Sequence, residues 1–355
     1  MKLNPTYDIY RSYEANYQEG PFIKEKPPRR EIRKKERFLG FEVNSRLGIP
    51  AGPLLNSRWI LTYAELGFDL PVYKTVRTRA TPSHPDPNCM FLKLKGQIKE
   101  EDFGKRLVAT MEPPSALEEI SITNSFGMPS RDPQVWQADI QKAKAGLGDG
   151  QLLIVSVVGT PAEKDLAADY AKAAALAAEA GAPVVEINLS CPNVVSGEGS
   201  VYTDPEFSSQ VSKTVKRAIG AVPLIIKIGY IADPARLSRV IRANAPHVDG
   251  VAGINTLSFE VVNDLGTSAL PGEGRLRSGV CGSAIRRCAL LQAARIVELK
   301  QKEKYDFAVV GVGGVMTTGH IREYFNAGVD AVMSATGAMW DPFLAYKYWE
   351  EEGGK

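Results

Sequence analysis

The segment Ile-Asn-Leu-Ser-Cys-Pro-Asn at residues 187–193 contains the side chain best suited to do chemistry, the thiol of Cys191. Polar residues and a proline surround it, and a thiolate in such a setting can act as a base once its pKa is lowered. The alternative is a buried and inert cysteine. We favour a proton-transfer role, because an asparagine lies on each side of the thiol.

The other three cysteines, Cys89, Cys281 and Cys288, do not form a metal-binding pattern. Cys281 and Cys288 are seven residues apart with no histidine nearby, and no two cysteines of the chain form a close pair. Zinc sites need closer spacings. We therefore expect no metal, and an inert role is the better interpretation of Cys281 and Cys288.

Further polar residues end short apolar runs along the chain. They are Lys74, Thr75, Asn188, Lys227, Asn255 and Thr256, and the long stretch 77–150 between two of the runs adds Asn124. If the runs are strands of a parallel barrel, these side chains meet at the carboxyl ends of the strands, where barrel active sites lie. Asparagine offers both a donor and an acceptor. With Asn193 the set has four asparagines, which suits a flat heterocycle edged with N–H and C=O groups.

Two glycine-containing turns late in the chain predict a phosphate site. Gly-Val-Gly-Gly-Val at residues 311–315 and Ser-Ala-Thr-Gly at residues 334–337 each accompany an apolar run. Backbone N–H groups in such turns can approach an anion, and the loops after strands seven and eight are the usual phosphate site of barrels. The G-x-G-x-x-G motif is absent, which disfavours a Rossmann NAD domain.

The elements that must position these residues are eight apolar runs that alternate with helical stretches. The predicted strands lie near residues 48–52, 71–76, 152–158, 184–189, 222–228, 249–254, 307–312 and 330–334. The predicted helices are residues 161–180, 204–219, 284–302 and 317–327. This alternation indicates an α/β fold with a parallel sheet. Eight strands favour closure into a (β/α)₈ TIM barrel.

Two parts of the chain lie outside this pattern. Residues 77–150 are too long for a plain crossover, so we predict an insertion between strands 2 and 3 near the barrel mouth. Residues 1–44 form a charged N-terminal extension before one barrel domain at residues 45–355. We interpret its most charged part, residues 24–37, as a solvated segment rather than a partner- or membrane-contacting arm, because it lacks the apolar face of an interfacial helix.

The composition excludes several classes of protein. Hydrophobic residues make up 44% and charged residues 24% of the chain, which is typical of globular proteins. The formal charge of +2 argues against a nucleic-acid binder. No apolar run approaches the roughly 20 residues that span a bilayer, and the first residues do not look like a signal peptide. We therefore expect a cytoplasmic protein that binds neither nucleic acid nor membrane.

Over about residues 45–345 the chain resembles the dihydroorotate dehydrogenases, and more loosely the pyrimidine-reducing barrel of dihydropyrimidine dehydrogenase. The most specific motifs are Asn-Leu-Ser-Cys-Pro-Asn at residues 188–193 and Asn-Ser-Phe-Gly-Met-Pro at residues 124–129. Lys-Thr, Ile-Lys-Ile, Ile-Asn-Thr and Val-Gly-Val-Gly-Gly-Val follow predicted strands in the family's order, at residues 74–75, 226–228, 254–256 and 310–315. Cysteine rather than serine at position 191 is the pattern of the class-one enzymes.

The resemblance implies FMN-dependent oxidation of dihydroorotate to orotate in pyrimidine biosynthesis. Cys191 would remove the C5 proton, and the C6 hydride would pass to N5 of FMN. Lys74 would lie near the flavin and the substrate carboxylate, and Lys227 at the flavin N1–O2 edge. The other implied substrate-binding residues are Asn124, Phe126, Gly127, Met128, Asn188, Asn193, Asn255 and Thr256. The implied FMN-binding residues are Ala51, Gly52, Lys74, Thr75, Asn124, Asn188, Lys227, Asn255, Gly282, Gly313, Gly314, Ala335 and Thr336.

Three alternatives to this activity stay open at the level of the sequence. The nearest is an FMN-dependent dehydrogenase of dihydrouracil-type substrates. The others are a Schiff-base aldolase that uses Lys227, and a barrel that binds FMN or a pyrimidine without turnover. The resemblance also implies a homodimer. The electron acceptor would be fumarate, NAD through an iron–sulfur partner subunit, or another oxidant.

Overall fold

The computed structural model describes residues 5–353, except residues 24, 26, 29, 33, 162 and 191–200. In this part of the chain the strands are β1 (Glu36–Phe38), β2 (Phe41–Val43), β3 (Leu47–Ile49), β4 (Leu70–Val76), β5 (Cys89–Leu92), β6 (Arg106–Thr110), β7 (Ser121–Asn124), β8 (Ile154–Val157), β9 (Val184–Asn188), β10 (Leu224–Ile228), β11 (Gly250–Gly253), β12 (Leu257–Val262), β13 (Arg277–Gly282), β14 (Ala308–Val312) and β15 (Ala331–Met333). The α-helices are α1 (Tyr13–Glu19), α2 (Ser57–Glu65), α3 (Pro133–Gly146), α4 (Leu166–Glu179), α5 (Pro205–Ile219), α6 (Pro234–Asn244), α7 (Arg286–Glu303), α8 (Thr318–Asn326), α9 (Thr336–Trp340) and α10 (Leu344–Glu351).

A closed parallel barrel is the centre of the fold, as the sequence predicts. The strand order around it is β3, β4, β8, β9, β10, β11, β14 and β15, and β15 pairs with β3 to close the ring. Each of these strands overlaps one of the eight predicted runs. The parallel pairing requires crossovers between successive strands. Helices occupy most of those crossovers, which confirms the (β/α)₈ TIM barrel.

Alternation along each strand separates the interior of the barrel from its helix-facing exterior. Val184 of β9 and Ile225 of β10 belong to the apolar cluster inside the barrel. Side chains two or four residues further along have the same orientation. Strand parity therefore turns Asn188 and Lys227 inward at the carboxyl ends of β9 and β10.

The crossover helices begin and end where local signals place them. Asp165 caps α4 by accepting a hydrogen bond from Ala168 N (3.0 Å), so this helix starts later than the predicted residue 161. Asp204 caps α5, which has proline at its first position and Gly220 at its end. A side-chain cap satisfies one of the free N–H groups of the first turn.

A second, five-stranded barrel lies over the mouth of the first. The predicted insertion supplies β5, β6 and β7, and the connection after β11 supplies β12 and β13. The strand order is β12, β13, β7, β5, β6, and β6 pairs in parallel with β12. The sequence predicted the insertion but neither the β12–β13 hairpin nor its union with the insertion.

Part of the charged N-terminal extension packs against the barrel. Tyr7, Ile9 and Tyr13 are buried in the main core. Between residues 24 and 37 the described residues are mostly exposed or half-buried. Arg30 differs, because its guanidinium pairs with the buried Asp69 at 2.8 Å. No helix among the described residues is long and apolar enough to cross a membrane.

Candidate active site

A cavity lies between the carboxyl ends of the barrel strands and the five-stranded barrel. Most of the site residues predicted from the sequence line it together. They are Ala51, Gly52, Lys74, Thr75, Asn124, Phe126, Met128, Asn188, Lys227, Asn255, Thr256, Gly282, Gly313, Gly314, Ala335 and Thr336. Cys191 and Asn193 lie outside the described residues, and Gly127 lies next to the lining rather than in it.

Asn188 connects the ends of two barrel strands. Its side-chain Oδ1 accepts hydrogen bonds from Ser190 N (3.0 Å) and from Asn255 Nδ2 (3.3 Å). Asn255 Nδ2 also donates to the carbonyl of Ser190 at 2.6 Å. The hydroxyl of Tyr170 donates to the Asn188 carbonyl at 2.8 Å. These bonds fix two predicted pyrimidine-binding amides at one wall of the cavity.

Lys227 on β10 is a buried cation, and the neighbouring strand β9 carries a buried acid. Lys227 is 4% exposed, and its ammonium forms no ion pair or hydrogen bond within the described part of the chain. Glu186 on β9 is 1% exposed, and neither carboxylate oxygen has a hydrogen-bond partner among the residues that the structure describes. Burial lowers the pKa of Lys227, and the charge of Glu186 opposes that shift. Both side chains line the cavity.

Lys74, on β4, is the second buried cation of the cavity. Burial lowers its pKa to about 8. Its Nζ lies 5.3 Å from the ring centroid of Tyr13 and 5.4 Å from that of Phe126. It also borders a second cavity, on the side of α1. A charged amine with aromatic rather than acidic neighbours keeps its attraction for an anion that enters.

The loop after β7 follows Asn124 and has an unusual backbone. Gly127 has φ +77° and Met128 has φ +53°, a region that favours glycine. A Cβ added at Gly127 would lie 2.6 Å from the ring of His84. Arg275, 2% exposed, donates to the carbonyl of Ser125 at 2.6 Å. These contacts hold the backbone in place where the resemblance puts the substrate carboxylate.

The predicted phosphate loops lie side by side at the other end of the cavity. Ser334 Oγ donates to the carbonyl of Val315 at 2.7 Å, which links the turn after β14 to the turn after β15. Gly314 has φ +67°, and a Cβ there would overlap the backbone of Arg286. The position therefore requires glycine, and Gly313, Gly314, Ala335 and Thr336 line the cavity.

Two thiols line the cavity without a predicted role. Cys281 Sγ lies 3.4 Å from Asn124 Nδ2 and 3.6 Å from Thr336 Oγ1. Burial raises its pKa to about 11, so the thiol is neutral near pH 7. Burial also raises the pKa of Cys89. An inert role fits both residues, and it fits Cys288, which is buried outside the cavity lining.

The lining residues that sequence reasoning missed include Glu186 and Tyr7. Glu186 has the same strand parity as Asn188, and an acid inside the apolar run 184–189 was a usable signal. Tyr7 comes from the N-terminal extension. Nothing in the local pattern around Tyr7 indicates that it returns to the barrel mouth.

Comparison with known proteins gives the same family on three grounds. The family model described as dihydroorotate dehydrogenase matches residues 112–351. A dihydroorotate dehydrogenase of Dictyostelium discoideum is 40% identical over 97% of this chain and 96% of its own length. The catalytic subunit of dihydroorotate dehydrogenase B (NAD(+)) from Listeria monocytogenes is 30% identical over 50% of this chain and 56% of its own.

A solved structure supports the fold alone, because its sequence is distant. The crystal structure of DHODH from Eimeria tenella in complex with ferulenol superposes with a TM-score of 0.72 at 14% identity. The match covers 94% of this chain and 88% of the other. With the family model and the full-length relative, the comparisons show that the chain belongs to the dihydroorotate dehydrogenase family, as an oxidoreductase of pyrimidine biosynthesis that acts on CH–CH bonds.

Proposed function

We propose that this protein oxidises dihydroorotate to orotate with FMN as its cofactor. The observation that supports this most is the meeting of Lys74, Asn124, Asn188, Lys227 and Asn255 in one cavity at the carboxyl ends of the barrel strands. These side chains come from distant parts of the sequence. A structural role for each would not require that they share one cavity.

The residues of the cavity fit FMN on two observations. Lys227 is a buried ammonium with no hydrogen-bond acceptor in the described part of the chain, so an anionic ring edge would satisfy it. The turns at Gly313–Gly314 and Ala335–Thr336 line the cavity. A Cβ at Gly314 would collide with Arg286, so this turn has room for glycine only. Bound there, FMN would supply the hydride acceptor that the protein lacks.

The amide side chains would hold the pyrimidine ring, and Lys74 its carboxylate. Asn188 and Asn255 are fixed by their mutual hydrogen bond and by Ser190. Fixed donors and acceptors orient a substrate without reorganisation at the moment of reaction. Lys74 and the backbone N–H groups of residues 126–128 would bind the carboxylate, and this binding sets the ring's position along the cavity.

Cys191 would take the proton from C5 on its Sγ atom. Ser190, the last described residue before it, lines the cavity, and this supports the assignment. A positioned base of this kind contributes about 10²–10⁴-fold to the rate. We expect Cys191→Ala to retain FMN and to lose reduction of the flavin by dihydroorotate, as stopped-flow absorbance would measure. Reduction at the wild-type rate would contradict this role, and Cys281→Ala serves as a matched thiol control.

The electrons would leave to an acceptor outside this chain. A relative is named as an NAD(+)-dependent catalytic subunit, but the match to it spans about half of each chain. The four cysteines of the sequence form no iron–sulfur cluster motif. An iron–sulfur centre in the electron path would therefore belong to another subunit, and a homodimer is the assembly expected from the family.

A further inference from the structure

We propose that the N-terminal segment 6–17 completes the active site, and that Tyr13 is a positioning residue whose ring, with Phe126, cages the ammonium of Lys74. This inference rests on the proposed function for the role of Lys74 toward a substrate carboxylate. The cage itself is a feature of the chain alone. It assigns a binding role to a segment that precedes the whole barrel.

The two rings contact the same ammonium from different parts of the chain. Tyr13 begins α1, and Phe126 lies in the loop after β7. Their centroids are 6.1 Å apart, and each lies within 5.4 Å of Lys74 Nζ. Tyr7 packs edge-on against Phe126 at 5.8 Å and lines the main cavity. An ammonium within about 6 Å of a ring centroid is attracted to the ring face.

Hydrogen bonds to the side chains of Ser12 and Asn16 fix the backbone around Tyr13. Ser12 caps α1 by accepting a hydrogen bond from Ala15 N at 3.1 Å. Asn16, fully buried, accepts from Asp8 N (2.8 Å) and donates to the Asp8 carbonyl (2.9 Å). These bonds lock the turn that connects Tyr7 to Tyr13, so both rings have a defined position.

The start of the segment is attached to the phosphate end of the cavity. Thr6 N donates to the carbonyl of Met339 in α9 at 2.8 Å. The hydroxyls of Thr6 and Tyr63 lie 2.5 Å apart, and Tyr63 also donates to the Ala338 carbonyl at 3.0 Å. Because α9 follows directly on Ala335, the segment is joined to both ends of the proposed binding site.

Rings and acids would act differently on Lys74. A carboxylate in contact would neutralise the ammonium and compete with a carboxylate on the substrate. An aromatic ring attracts the cation without supplying a competing anion, and it limits the rotamers of a long flexible side chain. The ammonium of Lys74 has no ion pair or hydrogen bond among the described residues. The cage therefore holds the ammonium in place and leaves it available to an incoming anion.

Three variants of the full-length, FMN-loaded protein test this. We expect Tyr13→Leu to raise KM for dihydroorotate about tenfold, which corresponds to about 1.4 kcal/mol, with FMN content and kcat close to wild type. Tyr13→Phe keeps the ring and should restore the wild-type KM. Tyr348→Leu removes a ring that also lies over a cation, Arg322 at 5.6 Å, but lines neither cavity, and it should leave KM unchanged. Unchanged KM in Tyr13→Leu, or equal loss in Tyr13→Phe, would overturn the proposal.

A spectroscopic readout separates the cage from the proposed reaction. In protein labelled with ¹³C at lysine Cε, the Lys74 signal is identified by its absence in Lys74→Arg. Ring currents should displace this signal in the wild type and in Tyr13→Phe, and Tyr13→Leu should move it back toward the position of exposed lysines. This outcome would support the cage even if dihydroorotate were not turned over. A Lys74 signal at the exposed position in the wild type would refute it.

Discussion

Lys74 and Lys227 differ in the neighbours that surround two equally buried ammonium groups. Lys74 faces aromatic rings, whereas Lys227 has the charge of Glu186 nearby. Their positions at the ends of apolar runs predicted that both lysines lie at the barrel mouth. The sequence did not predict Tyr13 as a neighbour of Lys74. The two residues are 61 positions apart, and Tyr13 lies outside the alternating strands and helices from which the barrel was predicted.

The pKa of Lys74, lowered to about 8 by burial, predicts how substrate affinity depends on pH. The ammonium is charged below that value and attracts the substrate carboxylate there, and the attraction is lost as pH rises through it. One pH unit above its pKa, only about a tenth of the Lys74 side chains are still charged. KM for dihydroorotate should therefore rise about tenfold between pH 7 and pH 9. Steady-state kinetics measure this.

The matched control for that profile is Lys74→Met. Its KM should be high at all pH values in this range, because the titrating group is gone. A wild-type KM that stays constant between pH 7 and pH 9 would contradict the binding of the carboxylate by a Lys74 whose pKa is lowered before substrate binds.

The strand pair β9–β10 brings one acid and one base into the floor of the cavity. In its register Glu186 lies opposite Ile225, and Asn188 lies opposite Lys227. Glu186 and Lys227 are thus diagonal neighbours on one face. The two strands could be predicted from their apolar runs. The register that makes Glu186 and Lys227 diagonal neighbours could not, because it depends on closure of the barrel.

We predict energetic coupling between Glu186 and Lys227. Lys227→Met leaves the buried carboxylate without its opposing charge, whereas Glu186→Gln with Lys227→Met removes both charges. The coupling should be about 1–2 kcal/mol, measured by urea unfolding of flavin-free protein so that FMN affinity does not enter the free energy. Glu186→Gln with Lys74→Met is the control and should be additive within about 0.5 kcal/mol. Additivity in the Lys227 pair would refute the coupling.

In the loop after β7, the sequence motif predicted the role of the loop but not the contacts that hold it. The motif Asn-Ser-Phe-Gly-Met-Pro indicated a substrate loop, but not that His84 and Arg275 hold it. Neither residue belongs to a motif that predicts a site. Their contacts depend on the five-stranded barrel, which the sequence did not predict.

We predict that Gly127→Ala destabilises the protein by about 1 kcal/mol or more, because φ +77° is unfavourable for alanine and its Cβ would strike His84. The displaced loop should also raise KM for dihydroorotate. Urea unfolding and steady-state kinetics measure the two effects. Adding His84→Ala relieves the collision but not the backbone strain, so only part of the stability should return. A fully stable Gly127→Ala protein would contradict the assigned geometry.

At the scale of the whole molecule, two barrels share one cavity. The first was predictable, because each of its strands is a continuous apolar run and each neighbour is the next such strand along the chain. The second combines strands from residues 89–124 with strands from residues 257–282. Its strands are short and pair with strands distant in the sequence, so no local sequence pattern predicts either the strands or their pairing. The N-terminal segment adds a third contribution, through Tyr7 and Tyr13.

The central claim is that this cavity binds FMN and passes the electrons of dihydroorotate to it. Anaerobic titration of the purified protein tests this most directly. We predict a yellow protein whose visible flavin absorbance is bleached by dihydroorotate, with about one orotate formed per flavin, and which dihydrouracil does not bleach. A colourless protein, or a flavin that dihydroorotate leaves oxidised while dihydrouracil reduces it, would contradict the account.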